Sequence, residues 1–148
     1  MDIRSALDRI IAIQDGLAIT SPVTEDVKKA YKYVPRANVT LTDVPAFTNE
    51  WTFTSLERFV GYRIQNYTVH MQLFVEDADI DRAADIASSF HKELIDALDA
   101  DIALNNTVTQ HSLRGGNPTL VGLERAGKIY IGLDLFLDLE MKEGATFT

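Results

Sequence analysis

The sequence contains no cysteine, so neither a disulfide framework nor a cysteine-ligated metal site can form. It also lacks long apolar runs. The N-terminal stretch comes nearest, but Arg4, Asp8, Arg9 and Asp15 interrupt it, which excludes a signal-peptide core or a membrane span there. The expectation is a chain that stays in the cytoplasm where it is made until something carries it out. Positive charge is scarce: 14 Lys and Arg face 22 Asp and Glu, a net charge of -8. A general nucleic-acid binder is basic, because its affinity comes largely from neutralising phosphates. This chain repels DNA on average, although an acidic surface can serve as a wall to which DNA does not stick.

Catalytic signatures are missing too. There is no phosphate-binding Gly-rich loop ending in Lys-Ser/Thr, no dinucleotide fingerprint, no nucleophile elbow and no paired-histidine zinc helix. His70, His91 and His111 fall on different elements without ligand spacing. Asp134, Asp138 and Glu140 share one strand face by alternation. At ~3.3 Å per residue they lie roughly 7 Å and 13 Å apart, distances that two hydrolytic carboxylates can use. No substrate-binding motif accompanies them, and a solvated strand face accounts for the pattern. Leu113-Arg114-Gly115-Gly116-Asn117-Pro118 reads as a tight turn with glycines at positive φ, ahead of an anion-binding loop. The expectation is a protein that is not an enzyme, with no cofactor and no metal. A small metal-dependent hydrolase built on the Asp134 face is the remote alternative.

What the 148 residues do hold is one domain's worth of patterned structure, enough for a single core without disulfides or metals. Ile3, Leu7, Ile10, Ile11 and Leu17 recur at helical spacing over 2–18, with Asp2 as a cap and Gly16 as a stop. Thr24-Glu25-Asp26-Val27 predicts a short helix or turn to Tyr31. Val39 and Leu41 alternate with polar residues between Pro35 and Pro45, a strand signal, and 43–50 reads as a loop. Trp51-Thr52-Phe53-Thr54 alternates again. Residues 36–63 are therefore expected to form an extended arm or β-hairpin, marginal on its own and in need of a partner. A strand follows over 66–76, with Tyr67, Val69, Met71, Leu73 and Val75 on one face.

Asp77 or Asp79 should cap the strongest helix, whose stripe is Ile80, Ala83, Ala87, Phe90, Leu94, Ala97 and Leu98. The last third reads as β: strands over 108–113 and 119–124, turns at 115–118 and 126–128, and a long final strand. In that strand Ile129, Ile131, Leu133, Leu135, Leu137 and Leu139 share one side. The order predicts an α+β single domain over 1–148, mainly an antiparallel sheet with two main helices packed on one face and an extended β-hairpin arm.

Aromatic and arginine residues are enriched at interfaces, and the arm concentrates them. The residues nominated for contact between subunits are Trp51, Phe53, Arg58, Tyr62 and Arg63 in the arm, Arg114, and Tyr130, Asp134, Phe136 and Asp138 on the polar side of the last strand. On that side the carboxylates either line a channel or meet Arg58, Arg63 or Arg114 of a neighbour.

The succession of segments carries a resemblance. A short N-terminal helix leads to Tyr31-Lys32-Tyr33-Val34-Pro35 and Asp43-Val44-Pro45-Ala46-Phe47-Thr48-Asn49. The strand Tyr67-Thr68-Val69-His70-Met71-Gln72-Leu73-Phe74-Val75 comes next, then the alanine-rich helix ending Leu94-Ile95-Asp96-Ala97-Leu98. Leu113-Arg114-Gly115-Gly116 and Lys128-Ile129-Tyr130-Ile131-Gly132-Leu133 close the series. Over nearly its whole length the chain resembles the tail terminator proteins of long-tailed, siphovirus-like bacteriophages, and more loosely neck and tail-completion proteins. The resemblance implies a virion protein at the head–tail junction, a homohexameric ring that caps the tail tube, ends its growth and offers the surface that joins the neck or head-completion protein. DNA would pass through the ring without specific binding, and no membrane is involved. A neck or head-completion connector, or a tail-tube subunit, are the alternatives. The family has no catalytic residues to carry over.

Overall fold

A computed structural model describes residues 1–36, 41, 43–76, 79–114, 121–125 and 127–144. The elements run α1 (Ile3–Asp15), β1 (Ala18–Ile19), β2 (Glu25–Asp26), β3 (Lys29–Tyr31), β4 (Ala46–Phe59), β5 (Tyr62–Val75), α2 (Ile80–Asp99), β6 (Gln110–Arg114), β7 (Val121–Arg125) and β8 (Lys128–Gly144). The main sheet is ordered β3-β4-β5-β8-β6, with β7 paired to the first residues of β8 on the same edge as β6. Its pairings are antiparallel except β3 with β4. The fold is α+β, with both helices on one face.

Each helix is bounded by its sequence signals. The Asp2 carboxylate accepts from the Ser5 amide, and Gly16 closes α1 by donating to carbonyls of the last turn. Asp79 caps α2, accepting from the amides of Asp81 and Arg82. Asp77, the other cap residue considered, lies outside the described residues. Leu7 and Ile10 of α1 and Ala83, Ile86, Ala87, Phe90, Leu94 and Leu98 of α2 are buried against Val69, Met71, Leu73 and Val75 of β5 and Leu133, Leu135, Leu137, Leu139 and Met141 of β8. Strict alternation in β5 and β8 supplies this apolar face. Ile80 departs from the predicted stripe. It stands at the first turn, beyond the sheet, and is 68% exposed, while Ile86 takes a place in the core. Among the described residues no helix is long and apolar enough to cross a membrane.

Several local expectations give way to tertiary pairing. Residues 24–31 form no helix. Glu25–Asp26 pairs with β1 and Lys29–Tyr31 lies parallel to Ala46–Thr48, because a segment this short gains more from an existing strand edge than from its own first turn. The loop expected over 43–50 is already strand from Ala46. Ala46, Phe47, Thr48 and Asn49 are all buried, so the stretch is covered on both faces and shows no alternation. The hairpin arm is longer than the predicted 36–63 and starts later, running from Ala46 to Val75 around Val60 and Gly61. Gly61, at φ +84, supplies the left-handed residue the tight turn needs. The strand expected around Val39 lies outside the described residues, as do the turn at 115–118 and the side chain of Ile129; Leu41, which is described, is buried but not in a strand.

Among the described residues the second face of the sheet is covered at one end, where Leu41, Phe74 and Tyr130 form a small separate cluster with Tyr31 and Val44. The Tyr130 hydroxyl donates to the Leu41 carbonyl at 3.0 Å, and Arg125 donates to the carbonyls of Pro35 and Arg36, both at 2.7 Å. Tyr130, expected on an exposed interface face, is thus a core residue of its own chain. The alternation was right, but Leu41 and Val44, ahead of β4, pack on that end of the face.

Candidate functional site

The distal part of the β4–β5 hairpin runs out of the core as a tongue, flanked by β8, which stays buried on its helix side as far as Met141. In β4, burial ends at Asn49, and every residue from Glu50 to Phe59 except Leu56 is exposed. β8 pairs with β5 out to Tyr62 opposite Gly144, so the tongue is held in the sheet to its tip. A register shift between Phe53 and Ser55 marks a bulge, where Thr54 donates its hydroxyl to the Asn66 carbonyl and Asn66 donates its amide to the Ser55 hydroxyl, both at 2.9 Å.

On the helix side of the tongue, Trp51 and Phe53 meet Tyr67 edge-on, with ring centroids at 5.7 and 5.3 Å. Trp51 and Phe53 pair with Val69 and Tyr67 at the margin of the core and remain 39% and 47% exposed. Farther out, Arg63 donates to the Glu143 carboxylate at 3.1 Å, and the N-terminal ammonium reaches the same carboxylate at 3.3 Å. Burial raises the Glu143 pKa, but hydrogen bonds from Arg63 and the N-terminus outweigh it and hold the group below its ordinary value. On the opposite side Phe59 stacks on Tyr62 at 4.8 Å, with the Lys142 ammonium 4.4 Å from the Tyr62 ring. Val60 at the tip is 98% exposed.

The uncovered part of the second face carries a polar ladder. His70 pairs with Asp134 diagonally across β5 and β8, and its ring stacks on Phe136 at 4.6 Å and 7°. Arg114, the neighbour of Phe136 on the β6 side, lies over its ring at 5.0 Å and donates to Asp138 at 2.6 Å. Asp138 also accepts from the Thr68 hydroxyl at 2.7 Å, and Glu140 accepts from Gln110. The carboxylates expected to meet a neighbour's arginine are therefore satisfied inside the chain. β6 sits beside β8 and brings Arg114 within reach, a proximity that sequence spacing does not reveal. Among the described residues no group of three or more His, Asp or Glu side chains is placed to hold a metal ion.

A third surface was not foreseen. Ile95, Leu98 and Ile102 from the end of α2 and the turn after it, with Leu113 of the edge strand β6, line a groove of about 380 Å³. His91 and Asp99 complete its wall. His91 Nε2 is buried without a hydrogen-bond partner among the described residues, and burial holds the His91 pKa below the ordinary histidine value. His111 fixes the floor, its Nε2 within 3.0 and 3.1 Å of the carbonyls of Leu98 and Asp101.

Of the ten nominated residues, the structure gathers Trp51, Phe53, Arg58, Tyr62 and Arg63 on the tongue and Arg114, Asp134, Phe136 and Asp138 in the ladder, and it withdraws Tyr130. Phe59, grouped with these aromatics in the sequence, lies on the tongue as well, while sequence reasoning missed Tyr67, Val60 and the groove. The pair Val60-Gly61 between two β-rich runs was the available hairpin signal; the groove had none, because it joins α2 to β6 across a turn. No family model matches the chain, and no curated protein matches it.

Proposed function

We propose that this chain is a structural subunit of a phage-tail ring, a tail-terminator-like protein that assembles as a homohexamer at the head–tail junction, caps the tail tube and receives the neck or head-completion protein. The observation that carries this reading is the tongue. A monomer gains nothing from extending a hairpin out of its core and leaving Trp51, Phe53, Phe59 and Val60 in water, whereas a ring covers them with the next subunit. The resemblance over nearly the whole chain names which ring. The role is mechanical and not enzymatic: the organised carboxylates are occupied by His70, Arg114, Thr68 and Gln110, and the acidic balance lets DNA pass a ring without being held.

Native mass spectrometry of the purified chain over a concentration series, followed by electron microscopy with isolated tail tubes, tests this. The expected result is a closed oligomer, six copies for the terminator role, seated on one end of the tube. A chain that stays monomeric at every concentration and never binds tube ends would sink the reading. Binding along the tube wall, or to portal-side particles only, would favour a tube subunit or a neck connector.

A further inference from the structure

We infer that the tip of the tongue, Phe59-Val60-Gly61, seats in the groove between α2 and β6 of a second copy of this chain. The inference rests on the ring reading above and says which two surfaces make the ring.

The tip is an apolar knob on which Val60 is 98% exposed and Phe59, stacked on Tyr62, 42%, and the groove is an apolar hole with Ile102 52% exposed at its rim. The two cannot meet within one chain. Ser112 of the groove wall lies level with Asp138 and Thr68, and the tip lies seven residues farther along β5, about 23 Å at ~3.3 Å per residue. Pairing of Tyr62 with Gly144 and of Arg63 with Glu143 keeps the tip in the plane of the sheet, so it does not fold back.

Charge fits as well. Arg58, next to the knob, and Asp99, on the groove wall, each lack an ion pair among the described residues. His91 lines the same groove. Edge-to-edge pairing of strands is the weaker rival for the tongue, since the bulge at Thr54 and the charges of Glu50, Glu57 and Arg58 blunt the outer edge of β4. A knob and a hole at different places on one subunit make a head-to-tail contact, which closes into a ring when the rotation allows.

The absence of cysteine makes the test clean. Val60→Cys and Ile102→Cys alter exposed side chains, so both variants should fold, which a thermal melt checks. Wild-type protein is first sized by sedimentation. The two single variants are then mixed, oxidised with copper phenanthroline and run on a non-reducing gel. The expected product is one covalent heterodimer, with no dimer from either variant alone. The double variant should give a ladder that ends at the ring's subunit number, and Val60→Asp should weaken association at least tenfold without lowering the melting temperature. If wild type forms oligomers but the mixture does not cross-link, or Val60→Cys cross-links to itself, the knob-and-groove pairing is overturned while the ring reading stands. Wild-type protein that remains monomeric up to its solubility limit, with no cross-link in the mixture, overturns both.

Discussion

Gln14 and Asn49 exchange two hydrogen bonds inside the core: Gln14 Nε2 donates to Asn49 Oδ1 at 2.9 Å, and Asn49 Nδ2 donates back to Gln14 Oε1 at 2.8 Å. Both residues are fully buried, and Asn49 also donates to the Tyr31 carbonyl at 2.8 Å. The pair ties α1 to β4 and β3 at the root of the tongue. Removing one partner orphans the other where no water reaches it, which costs roughly 1–3 kcal/mol for the stranded group. Asn49→Leu and Gln14→Leu should each destabilise the chain by about that much, and the double variant should lose less than the sum. Urea unfolding of the four proteins measures the coupling; strict additivity would mean the two amides act independently.

Phe90 and Ile80 stand on one predicted stripe but should behave differently. Phe90 is fully buried between α2 and the sheet, so Phe90→Ala should cost roughly 3–5 kcal/mol. Ile80 stands in solvent, and Ile80→Ala should stay within about 0.5 kcal/mol. Equal losses would contradict the observed seating of α2.

Trp51 is the only tryptophan, so its fluorescence reports the tongue alone. In the free subunit its indole is part-exposed beside Tyr67. Assembly should move the emission to shorter wavelength as a neighbour displaces water, and Trp51→Ala should weaken the oligomer more than it lowers the melting temperature. Unchanged emission on assembly would place Trp51 outside the contact.

His91 makes stability depend on pH between neutral and mildly acid conditions. Burial depresses its pKa in the folded chain, so the folded ring stays neutral where the unfolded ring, near 6.5, takes up a proton. The unfolded state then binds more protons, and stability, full above about 6.5, falls as pH drops from there through the depressed value. Asp101, held low first by the Asn105 amide and then by Arg9, and Glu143 lose their contributions only below the ordinary carboxylate range. Melting temperatures measured from pH 7.5 to 5 should therefore fall less steeply in His91→Gln than in wild type. Parallel curves would show that His91 does not titrate on unfolding.

Local chemistry settled a good part of this protein from its sequence. Asp2, Gly16 and Asp79 bound the helices, and alternation over 67–75 and 131–141 sets an apolar face long enough to require two helices on it. Those are effects of neighbours a few residues apart, and periods of 2 and 3.6 display them directly. The same logic exposed the aromatic alternation from Trp51, because a tongue in solvent keeps its two sides distinct. What only the tertiary structure decided are relations between distant segments. Tyr130 is core because Leu41 and Phe74 pack on it, Arg114 answers Asp138 of its own chain because β6 docks beside β8, and Ala46–Asn49 is strand because both of its faces are covered. The groove beside Ile102 exists because a helix end and an edge strand meet across a turn. In each case the deciding contact closes a loop through space, and residues that far apart leave no periodic trace in the sequence.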